Sequence, residues 1–224
     1  MRRMFDEELA DLDTSFKEMG LLVSETLEQS VQAFLDHDRQ KAQEIIDDDK
    51  AINHREIAIE KKTFEMIALY QPVTTDLREI VTILKAVSVL ERIGDNARNI
   101  AISTIHMKGN KRVANIEEKI GQTGTMVANM VNRVLDFYVN DDIQGAESME
   151  GEVDQVTQDT TDIRGMAISV MEKDPDIVTA ATDYIVVAGY IKRTADYVTD
   201  IAEWLIYKRT GKIVELNPGT SSYL

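Results

Sequence analysis

Within LERIGDNARNIA (residues 90–101), the oxygen-bearing side chains of Glu91, Asp95 and Asn99 recur at a spacing of four. On a helix, with Ile80 as zero, they fall at ~20°, ~60° and ~100°, so they sweep one flank of a buried stripe. That stripe contains Leu77, Ile80, Ile83, Leu84, Val87, Leu90 and Gly94. Glu91 falls inside the apolar arc, and an ionised carboxylate there needs a partner. Carboxylate and amide oxygens with no cysteine or histidine among them suit a hard cation such as magnesium, calcium, manganese or oxygen-ligated iron. The competing reading is an ion pair, because Arg98 at ~0° is within a turn or two of both acids. Arg92 on the outer face is a second local partner for Asp95.

The motif has a second copy. Shifted by 101 residues, AVSVLERIGDNARNIA (86–101) aligns without gaps on VAGYIKRTADYVTDIA (187–202), and Arg92, Asp95, Ile100 and Ala101 recur as Arg193, Asp196, Ile201 and Ala202. Asp196 and Asp200 keep two oxygen donors, but Lys192 replaces Glu91. A cation then stands where a metal ligand would, and Lys192 with Asp196 makes an ordinary i, i+4 pair. A complete metal site is expected in the first copy rather than the second.

These side chains need long helices to position them, and apolar residues follow a helical period nearly throughout. The first stripe runs from Met4 through Phe16 to Phe34 and stops near Asp36-His37-Asp38, where Asp38 can cap the next helix. A second includes Ala42, Ile45, Ile52, Ile59, Phe64, Ile67 and Leu69 and ends at Gln71-Pro72; a third spans about Thr75 to Lys108 and closes at Gly109-Asn110. The second half repeats the plan: a helix to Asn140, one from Asp141 to Lys173, a break at Asp174-Pro175 and a helix to Arg209. The same shift places Gly20 on Gly121 and Ile52 on Val153. An all-α fold of six long helices is expected, with two tandem, sequence-related three-helix units at 1–109 and 110–211 and a tail at 212–224.

Composition narrows the chemistry. The 224 residues carry 40 acidic against 25 basic side chains, a formal charge of −15, so a nucleic-acid partner is not expected. With no cysteine, disulfides, thiolate metal sites and thiol catalysis are excluded. The start, MRRMFDEELADLD, has no apolar signal core, and no run of about 18 apolar residues appears. A cytoplasmic protein without membrane insertion is the expectation. His37, His54 and His106 lack a glutamate three residues before them and read as surface or helix-end residues. No phosphate loop, dinucleotide fingerprint or nucleophile elbow is present, so no enzyme activity is expected. The Asp47-Asp48-Asp49 run reads as a solvated face or turn, and Trp204 with Tyr207 as core or an interaction surface.

QPVTTDLREI (71–80), LERIGDNARNIA (90–101) and YIKRTADYVTDIAEWLIYKRTGK (190–212), in this order within a duplicated three-helix chain, resemble the PhoU family of phosphate-transport accessory proteins. The resemblance reaches to about Lys212. It implies two three-helix bundles joined end to end, commonly dimeric. It also implies an acid-x-x-x-Asp metal motif in each repeat. Here that assigns Glu91 and Asp95, with Asn99 one turn on and Asp76 as a supporter, and then Asp196 and Asp200. Lys192 breaks the second motif. The implied metal is a divalent or ferric ion: iron, magnesium, manganese, zinc or calcium. The implied role is a cytoplasmic, non-catalytic negative regulator of phosphate uptake and of phosphate-starvation signalling. Its implied partners are the ATPase subunit of the phosphate ABC transporter, a sensor histidine kinase and a second copy of itself. The alternatives are a metal-binding or storage protein and a plain helical scaffold.

Overall fold

The computed structural model describes residues 2–107 and 111–216. Helices α1 (Arg2–Asp36), α2 (Arg39–Tyr70) and α3 (Thr74–His106) form the first half; α4 (Ala114–Asn140), α5 (Ile143–Glu147), α6 (Met149–Lys173) and α7 (Val178–Thr210) form the second. No strand occurs among the described residues. The expected stop at Gly109-Asn110 and the last residues of the tail lie outside them.

The helix ends have local causes. Asp38 accepts a hydrogen bond from the Lys41 backbone N–H at 2.9 Å and so satisfies one orphan donor of α2. Gln71 closes α2 in the left-handed region (φ 48°), and Pro72 bars its continuation. Gly211 (φ 71°) closes α7, where a side chain would meet the Arg78 guanidinium. The unbroken helix expected from Asp141 to Lys173 is instead split at Glu147–Ser148. Asp142 caps α5 through the Gly145 N–H, and the Ser148 hydroxyl turns back to the Gly145 carbonyl, so side-chain hydrogen bonds compete with helix continuation there.

The halves pack flank to flank, not end to end. α1 lies along α4 and α3 along α7, while α2 rides outside α1 and α3, and α6 outside α4 and α7. Contacts along both seams run antiparallel. Gly20 meets Leu135, Val31 meets Gly124 and Leu35 meets Gly121, so the repeat-related glycines Gly20 and Gly121 each admit a leucine from the opposite half. In the other seam, Asn96 donates to the Thr194 hydroxyl at 3.2 Å. One continuous core results, containing Phe16, Ile52, Leu90, Tyr138, Tyr184 and Val198. Burying each large side chain contributes about 1.5–3 kcal/mol. Three residues of the expected stripes are exposed: Met4, Phe64 and Leu69. Both α2 residues lie off the face that carries Ile52, Ile59, Thr63 and Met66 into the core. Leu77, in the first turn of α3, is also exposed.

At one end a buried carboxylate ties the halves together. Glu117 of α4 accepts hydrogen bonds from Tyr184 at 2.7 Å and Arg112 at 2.8 Å, and lies 3.1 Å from His37 Nε2. Arg39 reaches the Met107 carbonyl at 2.9 Å. His37 is a helix-end residue, as its sequence context suggested, and it also completes this joint. Burial alone would raise the Glu117 carboxyl, but the hydrogen bonds from Arg112, Tyr184 and His37 outweigh it and hold it low.

Candidate functional site

Glu91, Asp95 and Asn99 line the flank of α3 that faces α2, and all three are half-buried. The placement inside the apolar arc is corrected accordingly: Glu91 is half-buried at the edge of the α2/α3 groove rather than enclosed among apolar side chains. Across the groove, α2 supplies Asp49, Asn53, Glu56 and Glu60, a stripe that sequence reasoning missed. Their spacing of four, three and four is the signal that could have found them. Asp49 belongs to the run whose sequence suggests a solvated face, yet its side chain is only 12% exposed.

The electrostatics are those of acids crowded together. Burial, then the charges of Asp95, Glu56 and Asp49, push the Glu91 carboxyl from its ordinary value of 4.5 up to about 7, against the pull of Arg92. Burial and the Asp95 charge raise Asp49. Burial and the Glu60 charge raise Glu56, opposed by the Ser88 hydroxyl and Arg92. Arg98, the partner in the competing ion-pair reading, does not serve Glu91 and Asp95; its Nε stands 3.8 Å from Asp49 Oδ2. Arg92 leans over the Tyr197 ring of α7, 6.0 Å from its centroid, rather than pairing with Asp95. Among the described residues, no cationic side chain comes within ion-pair distance of Glu91 or Asp95.

The donor set suits a hard cation by chemistry and by charge deficit: carboxylates, two amides and a hydroxyl, with the Arg98 guanidinium at the groove's end. As the side chains stand, no group of three or more carboxylates or imidazoles among the described residues is close enough to grip an ion. Asp76 does not join this groove. It lies fifteen residues before Glu91 on α3 (91 − 76), ~22 Å along the axis.

In the second half Lys192 holds Asp196 at 2.9 and 2.7 Å, the pair expected from the sequence. Asp200 is raised by burial and by the Asp196 charge, with Arg92 opposing. Asp196 and Asp200 are thus adjacent, but a lysine neutralises the first. Trp204 and Tyr207 stack edge-to-face at 5.7 Å on α7, half-buried, with Lys85 over the Trp204 ring.

This arrangement, an all-α chain of two antiparallel three-helix halves with acids along the inner helices, defines a class of duplicated helical bundle. A family model described as the PhoU domain matches residues 16–104 and again 120–205, once in each half. The phosphate-specific transport system accessory protein PhoU homolog of Streptococcus pneumoniae is 34% identical over 217 residues, which cover 97% of this chain and 100% of that protein. The homolog of the same name in Clostridium acetobutylicum is 31% identical, covering 96% and 99%. Among solved structures, the phosphate transport system regulatory protein PhoU from Streptococcus pneumoniae superposes with a TM-score of 0.88 at 32% identity, covering 94% of this chain and 99% of that one. PhoU from Pseudomonas aeruginosa gives 0.86 at 29% identity, covering 93% and 100%. The chain belongs to the PhoU family.

Proposed function

We propose that the chain is a cytoplasmic negative regulator of phosphate uptake and of the phosphate-starvation response. It acts by docking to the ATPase subunit of the phosphate ABC transporter and to a sensor histidine kinase, as a homodimer, and it is not an enzyme. Support comes from near-full-length likeness to phosphate-transport accessory proteins in both halves. No helix among the described residues is long and apolar enough to cross a membrane.

A divalent or ferric cation in the α2/α3 groove belongs to this proposal. Glu91, Asp95, Asp49 and Glu56 would hold it, with Asn99 and Asn53 alongside; the second motif, Asp196 and Asp200, is the weaker candidate. The observation that carries this is Glu91, a half-buried carboxylate beside other acids and without an ion-pair partner. Bound there, a cation supplies the missing positive charge and clamps α2 to α3. The chain's own residues set the pH at which the groove is ready: Glu91 must lose its proton before it can ligate.

Deleting the gene should raise phosphate uptake in phosphate-replete cells; unchanged uptake would remove the regulatory reading. Protein purified without chelator should carry metal that Glu91→Ala loses. An equal metal content in the two would remove the metal site and leave the regulatory reading standing.

A further inference from the structure

The α6/α7 groove holds a pocket of about 370 Å³ lined by Thr160, Thr161 and Arg164 of α6 and by Ile185, Ala188, Gly189 and Lys192 of α7. In a chain with 40 acids against 25 bases, this lining carries two cations and no acid. The pocket between α1 and α2 also has two cations, but Arg55 is paired with Glu18 and Lys62 with Glu8. Arg164 has no ion-pair or hydrogen-bond partner among the described residues. Lys192 spends two short contacts on Asp196. An ammonium carries three protons, so one remains to donate.

Gly189 adds a separate indication. It is exposed in the middle of α7, and a Cβ there would meet nothing within 4 Å. Packing therefore does not require a glycine, although one costs about 1 kcal/mol relative to alanine in a helix interior. Its effect is to leave the floor between Arg164 and Lys192 open. The Thr160 and Thr161 hydroxyls, now turned to the Thr157 carbonyl, can rotate towards a ligand.

We infer that the α6/α7 groove is a binding site for a phosphoryl group, held by Arg164 and Lys192 over Gly189, with Thr160 and Thr161 as further donors. A guanidinium fork matches two oxygens of a tetrahedral oxyanion, and the ammonium supplies a point charge to a third. The pocket is larger than the free anion needs, and Ile185 with Ala188 offer an apolar wall to the body of a phosphate ester. This inference is independent of the metal in the other groove.

Calorimetric titration of the full chain, metal-free and at fixed ionic strength, tests it with inorganic phosphate and with phenyl phosphate. Saturable one-site binding of at least one probe is expected, weakened at least about 10-fold by Arg164→Ala and by Lys192→Glu. Tighter binding of the ester assigns an esterified ligand; equal or tighter binding of the anion assigns free phosphate. Gly189→Leu fills the floor at a position open to solvent, so it should keep or raise the melting temperature while binding falls at least about 10-fold. Absence of saturation by both probes overturns the inference. So does unaltered affinity in Arg164→Ala and Lys192→Glu, or in folded Gly189→Leu.

Discussion

In the α2/α3 groove Glu91 faces Asp95, Asp49 and Glu56; at the equivalent place in the α6/α7 groove Lys192 grips Asp196 and Arg164 stands unpaired on the opposite helix. The halves share a helix plan, a glycine at each α1/α4 crossing and an aspartate one turn after the divergent position. Duplication kept what the core requires and let the grooves part in charge. On the inner helices the aligned difference is Glu91 against Lys192, which is open to direct exchange.

The largest expected effect is on cation binding. Glu91→Lys copies the second groove into the first, removing a ligand and adding a charge beside Asp95. Manganese or magnesium affinity, followed by calorimetry, should fall on the order of 100-fold or more. If the variant binds as the parent does, the acidic groove is not the cation site. Next in size is the joint beneath both grooves. Glu117→Ala leaves the Tyr184 hydroxyl and the half-exposed Arg112 without their acceptor, which should cost about 2–3 kcal/mol in a denaturant melt. Because this carboxyl sits below its ordinary value, its contribution is present above the unfolded-state value and is lost as pH falls through the folded one.

Glu91 has the opposite sign. Its folded value of about 7 lies above the ordinary 4.5, so its contribution is full below about 4.5 and is lost as pH rises through about 7. Glu91→Gln should therefore stabilise the metal-free protein at pH 8 and leave it unchanged or weaker at pH 5. Half-exposure screens the effect to about 1 kcal/mol. Cation affinity should rise with pH through the same range in the parent and lose that dependence in the variant. Equal melting shifts at pH 5 and pH 8 would show that Glu91 is not strained by its neighbours.

Much of this comparison was legible in the sequence. Periodicity places the long helices, and the 101-residue shift exposes both the duplication and the exchange of Glu91 for Lys192. The wheel could not show which neighbour covers which face of α3; Glu91 therefore looked buried among apolar residues when it opens into a groove. The ion-pair alternative for Arg98 looks only to acids on its own helix because one-helix reasoning sees only local partners, and Asp49 of α2 takes it instead. The Asp49, Glu56 and Glu60 stripe is visible as spacing, but only packing gives it meaning. The break before α6 rests on side-chain hydrogen bonds from Asp142 and Ser148 that compete with a helical backbone, and periodicity is blind to them.

The smallest effect is the sharpest test of how far the grooves are equivalent. Lys192 and Asp196 are 26% and 29% exposed, close to water, and a lysine preceding its acid by four residues is the weaker orientation on a helix. A double-mutant cycle with Lys192→Ala and Asp196→Ala should give a coupling of about 0.3 kcal/mol, shrinking with added salt. In the first groove, Glu91→Lys builds the same pair with Asp95 and also removes the repulsion that raises Glu91. Its coupling with Asp95→Ala should therefore exceed that of the native pair, and the variant should melt above the parent at pH 8 even as it loses cation binding. Equal couplings in the two grooves would mean that Asp95 exerts no repulsion on Glu91, and the charge contrast between the paired positions would be one of composition alone.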